Sequence, residues 1–331
     1  MKKFSFLLIS MILIAISSSA QDCSQELLAS KPGTWQPGIG GSVRNISATD
    51  LAKEKVVLAK IHTMIKERYS PTGCQVVYSN AFSGASKASG KNWVADNFYY
   101  AMYIHMYYCD QKSTDKSKFY PEVETSTDVH VTANAIWSLK ELFAADLPDD
   151  DSRGYLKLEE RPQQKDGFYY MGETDGTVSW NDDPVIEYRW LVTYDEKLPF
   201  KYFSRREYLE IVKKKLAITI QNDGGPSDYY SEFLNKIDEA LSQPEAELNK
   251  DAICMWNDEE RFTGFVEEGT KGSFFAVKPD LSYFNKKLPH SAPQFFYVVY
   301  KIEKNYPVYE ENIAAIQNAI DFKALRAMLG K

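Results

Sequence analysis

The sequence lacks the short motifs that mark the commonest enzyme classes. Its 331 residues contain no G-x-S-x-G, H-E-x-x-H, G-x-x-x-x-G-K-[ST] or G-x-G-x-x-G pattern. These absences argue against the usual serine hydrolases, zinc proteases, P-loop nucleotidases and dinucleotide-binding enzymes. No motif predicts a cofactor, and the sequence leaves open whether the protein is an enzyme at all.

Basic residues are fewer than acidic residues. The chain carries 39 lysines and arginines against 46 aspartates and glutamates, a formal net charge of −7. An acidic surface repels the phosphate backbone of DNA or RNA. We therefore expect no nucleic-acid partner.

Cysteine is rare, and none of the four residues forms a C-x-x-C pair. A zinc site of the usual spacing is therefore not predicted, and we assign no metal ligand. In an oxidising compartment such cysteines form one or two disulfides. Three full pairings are open to the four residues, Cys23, Cys74, Cys109 and Cys254.

One pairing follows from the strand pattern. An antiparallel alignment of residues 74–86 with 97–109 would place Cys74 opposite Cys109. Cross-strand bridges need Cα atoms separated by about 4.4–6.8 Å, which such an alignment supplies. We therefore predict a disulfide between Cys74 and Cys109, with the other two cysteines paired or free.

A long apolar run is missing everywhere except at the start. Two lysines precede an apolar stretch at residues 4–16, and small residues at 17–20 end it. This is the pattern of a signal peptide, and the stretch is shorter than the roughly 20 residues of a spanning helix. We expect cleavage after residue 20, an exported soluble chain without a transmembrane helix, and a periplasmic or extracellular location.

The remaining chain predicts an α+β fold. Residues 21–48 are rich in proline and glycine and are expected to be irregular, and residues 49–331 are expected to form a single domain. A division near residue 200 is the alternative. An apolar stripe predicts a helix at about 49–68, and alternation predicts several strands further on. The expected architecture is a mainly antiparallel, twisted sheet with helices packed on one side.

The stretch at 93–109 is the clearest strand in the sequence, with apolar side chains on one face and tyrosines and a histidine on the other. Residues 128–139 alternate in the same way. Pairing them with His105 opposite Thr132 would gather five side chains, Tyr103, His105, Tyr107, His130 and Asn134. Such a face could bind a sugar by ring stacking or hold a metal through two imidazoles. The alternative is a structural polar face covered by a helix or loop.

A second candidate lies near residue 180. Asp182 and Asp183 follow a tryptophan, and Glu187 lies on the strand predicted at 185–194. Paired carboxylates perform acid–base chemistry in glycosidases, so these three are weak candidates for catalysis. The alternative is ordinary turn chemistry for the aspartates and charge compensation for the glutamate. Just upstream, Asp175-Gly176 predicts a hairpin turn.

Three segments resemble a group of known sequences. Residues 188–200 read YRWLVTYDEKLPF, residues 204–209 read SRREYL, and residues 287–295 read KLPHSAPQF. Together with a mature end at Gln21, they resemble uncharacterised exported proteins of the Bacteroidota. The resemblance implies export and carries no function or catalytic residue.

Two functions fit these observations. The first is a non-enzymatic binding or envelope-associated protein with an aromatic-rich surface, whose partner is a glycan or an envelope component. The second is a secreted hydrolase of unrecognised type that acts on glycans. The missing motifs favour the first.

Overall fold

The computed structural model describes residues 23–84, 95–134, 156–179, 182–194, 197–225, 227–255, 261–280 and 282–331. The expected signal peptide, and the end of the strand predicted at 128–139, lie outside these ranges. Helices and strands alternate irregularly along the described chain, and the large sheet is mainly antiparallel, so the predicted α+β class is confirmed.

The strands, in chain order, are β1 (Thr34–Pro37), β2 (Val43–Arg44), β3 (Cys74–Ser83), β4 (Asn97–Cys109), β5 (Phe119–Pro121), β6 (Asp128–Ala133), β7 (Leu156–Leu158), β8 (Gln163–Lys165), β9 (Phe168–Val178), β10 (Pro184–Val192), β11 (Phe200–Tyr202), β12 (Ile253–Met255), β13 (Ser273–Pro279) and β14 (Phe296–Glu303). The helices are α1 (Gln25–Ala29), α2 (Ala48–Lys66), α3 (Arg205–Asn222), α4 (Asp228–Leu241), α5 (Glu245–Leu248), α6 (Pro307–Ala319) and α7 (Phe322–Met328).

The strands form two sheets. The larger has ten strands in the order β1-β3-β4-β6-β14-β10-β9-β8, with β2 beside β3 and β5 beside β4. Only β1 and β2 run parallel to their neighbour β3, and the other pairs of this sheet are antiparallel. The smaller sheet has the order β11-β13-β12, with β7 beside β13.

The elements stack in layers on the large sheet. Helices α2, α6 and α7 share one hydrophobic core with one face of that sheet. The smaller sheet packs on the opposite face, against β9, β10 and β14. Helices α3 and α4 then cover the far side of the smaller sheet. Of the helices on the first face, α6 and α7 border the cleft described below.

Strand β4 shows why the main core forms where it does. Its even-numbered side chains are almost completely buried, and they contact α2 and α6. A strand points successive side chains to opposite faces, so this apolar set lies on one side of the sheet. The buried residues are Phe98, Tyr100, Met102, Ile104 and Met106.

Local capping signals fix the ends of the major helices. Helix α2 begins after Ser47, whose hydroxyl accepts the amide of Asp50 at 3.0 Å. Helix α3 begins with a capping box, in which Ser204 and Glu207 each accept a backbone amide of the other. No helix within the described ranges combines the length and apolar character needed to cross a membrane.

Residues 21–48, predicted to be irregular, instead contribute ordered structure from residue 24 onward. Helix α1 packs against β4, while β1 and β2 extend the sheet by parallel pairing with β3. Glycine and proline do not prevent this, because Gly38 and Gly41 donate their amides to backbone carbonyls of β3. Pairing with a strand already in place orders a segment whose own propensity is low.

The predicted disulfide between Cys74 and Cys109 is wrong. Cys109 bonds to Cys23, and Cys74 is a free, buried thiol, as is Cys254. The pairing of β3 with β4 sets Cys74 opposite Met106 rather than Cys109. Cys74 therefore shares the inner face with the even-numbered residues of β4, whereas Cys109 points to the other face.

Candidate functional site

The two alternating strands pair in a different register from the predicted one. Tyr99 lies opposite Thr132 and Tyr103 opposite Asp128, a displacement of six residues from the expected pairing of His105 with Thr132. Strand β5 causes the displacement, because it pairs with the last three residues of β4 and occupies that edge. An even displacement keeps every side chain on its predicted face.

His130 retains its predicted place on a tyrosine-rich face. Its ring lies between Tyr99 and Tyr103, at centroid distances of 5.6 and 5.9 Å. Asp128 lies 3.3 Å from its Nε2. Burial, followed by the nearby charge of Lys301, lowers the pKa of His130 to about 4. The imidazole is therefore neutral at pH 7.

His105 and Tyr107 do not join His130. His105 lies opposite Gln75 of β3, beyond the end of β6. Burial lowers its pKa, so it is also held neutral. The hydroxyl of Tyr107 lies 3.2 Å from that of Thr34, close to the N-terminal segment. The five predicted residues thus divide among separate environments.

Asn134 belongs to a buried junction. Its side-chain amide donates to the carbonyls of Asp96 and Ala292, each at 3.0 Å, and its Oδ1 accepts the amide of Gln294 at 2.7 Å. Its φ of 57° lies in the left-handed region, which asparagine tolerates better than most residues. These bonds commit the side chain to holding the end of β6 beside β14.

The two aspartates predicted near residue 180 lie at a turn. Asp182 has a φ of 62°, as turn residues often do. Asp183 accepts hydrogen bonds from Asn305 and from the hydroxyl of Tyr306, both at 2.9 Å. The Asp183 carboxylate thereby joins the start of β10 to the turn that follows β14.

Glu187 lies on the same face as His130, which links the two predicted candidates. Across β4, β6, β14 and β10, the residues Tyr103, Asp128, Lys301 and Glu187 form one row. Glu187 lies 3.0 Å from Lys301 and 3.4 Å from Arg189, so two cations balance its charge. Within the described ranges, no group of three histidine, cysteine or acidic side chains is arranged to hold a metal ion.

A cleft of about 930 Å³ opens on the other face of the sheet, between α6, α7 and strands β8 to β10. Tyr170 and Trp190 lie opposite each other on β9 and β10, with ring centroids 5.0 Å apart. Phe322 of α7 lies 5.4 Å from Trp190. The aromatic residues that line the cleft are Phe168, Tyr170, Tyr188, Trp190, Tyr300 and Phe322.

The cleft exists because the helices on this face cover the sheet unevenly. Helix α6 packs over β14 and β4, while the seven-residue α7 packs against β10. Strands β9 and β8 continue the sheet beyond them. The rings of Tyr170, Tyr188 and Trp190 are consequently only partly buried. Partly exposed aromatic rings side by side on rigid strands are typical of a binding surface.

Polar side chains surround this aromatic floor. Glu310 is paired with Lys304 at 2.9 Å. A hydrogen bond from the amide of Ala324 lowers the pKa of Asp321, which keeps that carboxyl ionised. The polar residues that line the cleft are Lys165, Asp166, Glu310, Gln317, Asn318, Asp321 and Lys323. Hydrogen-bonding groups at the edge of an apolar floor can orient a bound ligand.

The sequence does not reveal this cleft, because the alternation of residues 185–194 predicts that Tyr188 and Trp190 face a core. The alternation of β10 does place both on its apolar face. Whether that face is covered depends on where α6 ends, over 120 residues later in the chain. The composition of this segment gave the available signal. Three side chains on its apolar face are aromatic, Tyr188, Trp190 and Tyr194, whereas aliphatic side chains would suit a covered strand.

No known protein family matches the chain, and neither the curated proteins nor the solved structures include one that matches it.

Proposed function

We propose that this protein is an exported, non-enzymatic glycan-binding protein and that the aromatic cleft holds the sugar. The observation that carries the proposal is the group formed by Tyr170, Tyr188 and Trp190. Their partly exposed rings lie together on the floor of an open cleft. Function is inferred from this site and not from the fold.

The chemistry of the cleft suits a sugar better than a purely apolar ligand. The C–H faces of pyranose rings pack against aromatic rings, which are rigid and lose little entropy on binding. Sugar hydroxyls need both donors and acceptors, and the side-chain amides of Gln317 and Asn318 supply both. An apolar floor with amides along one wall therefore matches both surfaces of an oligosaccharide.

The acidic groups of the cleft favour binding over hydrolysis. A glycosidase needs one carboxyl that stays protonated as the acid and a second at a defined separation. Asp321 has a lowered pKa, and Glu310 is engaged with Lys304. Neither has the environment of a general acid, which requires burial or a neighbouring negative charge.

The proposal includes export to the periplasm or the cell exterior. The signal-peptide pattern at residues 1–20 supports it. The bond between Cys23 and Cys109 supports it independently, since disulfides persist in oxidising compartments. Recovery of the chain from a periplasmic or extracellular fraction, with cleavage after residue 20, tests this part.

Calorimetric titration of glycans selected on an array tests the binding. We expect Trp190→Ala to weaken binding at least ~10-fold, because the ring supplies much of the stacking surface. Tyr120→Ala is the matched control, since Tyr120 is an exposed aromatic residue on β5 outside the cleft. Equal affinity of the Trp190 variant and the native protein would refute the proposal. Release of shortened sugar products would instead establish the hydrolase.

A further inference from the structure

We propose that the cleft selects anionic glycans, in which a carboxylate or sulfate of the sugar lies at the end of the cleft formed by β8 and α7. This inference rests on the proposed function and adds the chemical class of the ligand. It comes from the distribution of charge around the aromatic floor.

Lys165 and Lys323 line that end of the cleft, and a third cation, Arg326, lies beside it. The Nζ of Lys165 lies 3.6 Å from the centroid of the Tyr170 ring. The guanidinium of Arg326 lies 4.2 Å from the centroid of the Phe168 ring, and its Nε is buried without a hydrogen-bond partner. Lys323, in the first turn of α7, lines the cleft beside them. All three are thus held on or beside the aromatic floor.

None of these cations has an acidic partner within the part of the chain that the structure describes. Among the described residues, no carboxylate lies within 4.0 Å of the charged groups of Lys165, Lys323 or Arg326. Arg326 instead donates a hydrogen bond to the carbonyl of Gly167. A guanidinium bonded to a neutral carbonyl keeps its full charge, so this end of the cleft remains positive.

The acidic residues of the cleft are, by contrast, mostly compensated. Glu310 pairs with Lys304 at 2.9 Å, and Asp321 pairs with Arg68 at 3.2 Å. The remaining acid is Asp166, in the turn between β8 and β9, where its φ is 53°. Three cations against one such acid leave the cleft locally positive on a chain whose net charge is −7.

The position of Lys165 also divides the floor into two parts. With its ammonium over the Tyr170 ring, a sugar cannot stack on that ring at the same time. Trp190 and Tyr188 therefore carry the stacking, and Lys165 lies where a substituent of the next sugar would reach. Lys165 is exposed, so a bound anion can reach its ammonium directly.

The test compares a pentamer of galacturonic acid with its full methyl ester, which lacks the negative charges and carries one added methyl group on each carboxyl. Titrations are run at about 20 mM and about 500 mM NaCl, because salt screens exposed charges at the higher concentration. We expect the acid to bind ~10-fold more tightly at low salt, with the difference reduced at high salt. A sulfated oligosaccharide and its unsulfated parent distinguish the two sources of negative charge.

Substitutions of lysines test whether the preference for the acid arises in the cleft. Lys165→Gln with Lys323→Gln should weaken binding of the acid much more than binding of the ester, and so reduce the preference for the acid. Lys214→Gln is the control, since Lys214 is exposed on α3. Equal binding of acid and ester, unaffected by the lysine variants, would overturn the anionic preference and leave glycan binding intact. Failure of every glycan on the array to bind would overturn the proposed function itself, and the preference with it.

Discussion

The hydroxyl of Tyr69 donates a 2.6 Å hydrogen bond to Oδ1 of Asn312, across 243 positions of the sequence. The same Oδ1 accepts the amide of Thr72 at 3.2 Å, and the Asn312 amide donates to the carbonyls of Thr72 and Val308. Asn312 is buried on α6 and uses its full hydrogen-bonding capacity. Asn312 thereby holds α6, which forms one wall of the cleft, against the turn between α2 and β3.

Replacing Asn312 by alanine should therefore destabilise the protein. The change leaves the buried Tyr69 hydroxyl without this partner and removes both bonds to the backbone of Thr72, which costs about 1–3 kcal/mol of unfolding free energy. Urea denaturation measures the loss. Glu311→Ala, exposed on the same helix, is the control and should change stability by less than about 0.5 kcal/mol. Equal stability of the two variants would contradict this account of Asn312.

The disulfide between Cys23 and Cys109 should be a major source of stability. It closes a loop with a sequence separation of 86, and cross-linking a loop of that size stabilises by about 4–5 kcal/mol on a chain-entropy argument. Cys109→Ser should lower the melting temperature as much as reduction does. A peptide map that links Cys74 to Cys109 would disprove this pairing.

The two remaining thiols should be unreactive in the folded protein. Burial raises the pKa of Cys74 and of Cys254 to about 12, and only the thiolate reacts with alkylating reagents. Iodoacetamide should label neither thiol in native conditions and both after unfolding in denaturant. Mass spectrometry counts the labels, and rapid labelling of the native protein would contradict the burial.

Glu54 should make the protein less stable as pH rises. Burial in α2, followed by the neighbouring carboxyl of Asp96 and the charge of Asp50, raises its pKa to about 9. The folded protein keeps Glu54 protonated, so its stabilising contribution is complete below pH 4.5 and is lost progressively as pH rises toward 9. Glu54→Gln should flatten this decline and raise stability at pH 8 by about 2–5 kcal/mol. A variant with the same alkaline decline as the native protein would exclude Glu54 as its source.

Protonation of His130 should destabilise the folded protein at acidic pH. Its folded pKa of about 4 lies below its ordinary value of 6.5, so its contribution is complete above pH 6.5 and is lost as pH falls toward 4. With 31% of the side chain exposed, we expect a loss of about 1–2 kcal/mol. His130→Phe, which can pack between the same tyrosines, should remove that loss. His290→Gln, whose side chain is 58% exposed in the native protein, serves as the control and should not.

The parts of the fold that the sequence predicts are those set by local pattern. The alternation of β4 and the apolar stripe of α2 depend on residues within a few positions of one another. Registers and turns depend on distant partners. Asp175-Gly176 predicts a hairpin, yet β9 continues through these two residues without a turn. The pairing of β9 with β10 contains bulges. An Asp-Gly hairpin turn is found instead at Asp166-Gly167, which joins β8 to β9 and has positive φ values at both residues.

The candidate site was less accessible to sequence reasoning for the same reason. Alternation correctly predicts that His130 shares a face with Tyr103, because face depends only on parity. It cannot predict that His105 lies beyond the end of β6, since that depends on β5. Nor can it separate a covered aromatic face from an open one. Trp190 faces a cleft only because α6 and α7 leave part of the sheet uncovered.

Strand β14 comes late in the chain but lies in the interior of the large sheet. Residues 296–303 form the strand that lies between β6 and β10, so they join the two halves of the large sheet. Until they arrive, the inner edges of β6 and β10 have no strand to pair with, and open edges invite association with other chains. A chain synthesised from its N-terminus therefore cannot complete the large sheet until residues 296–303 are available.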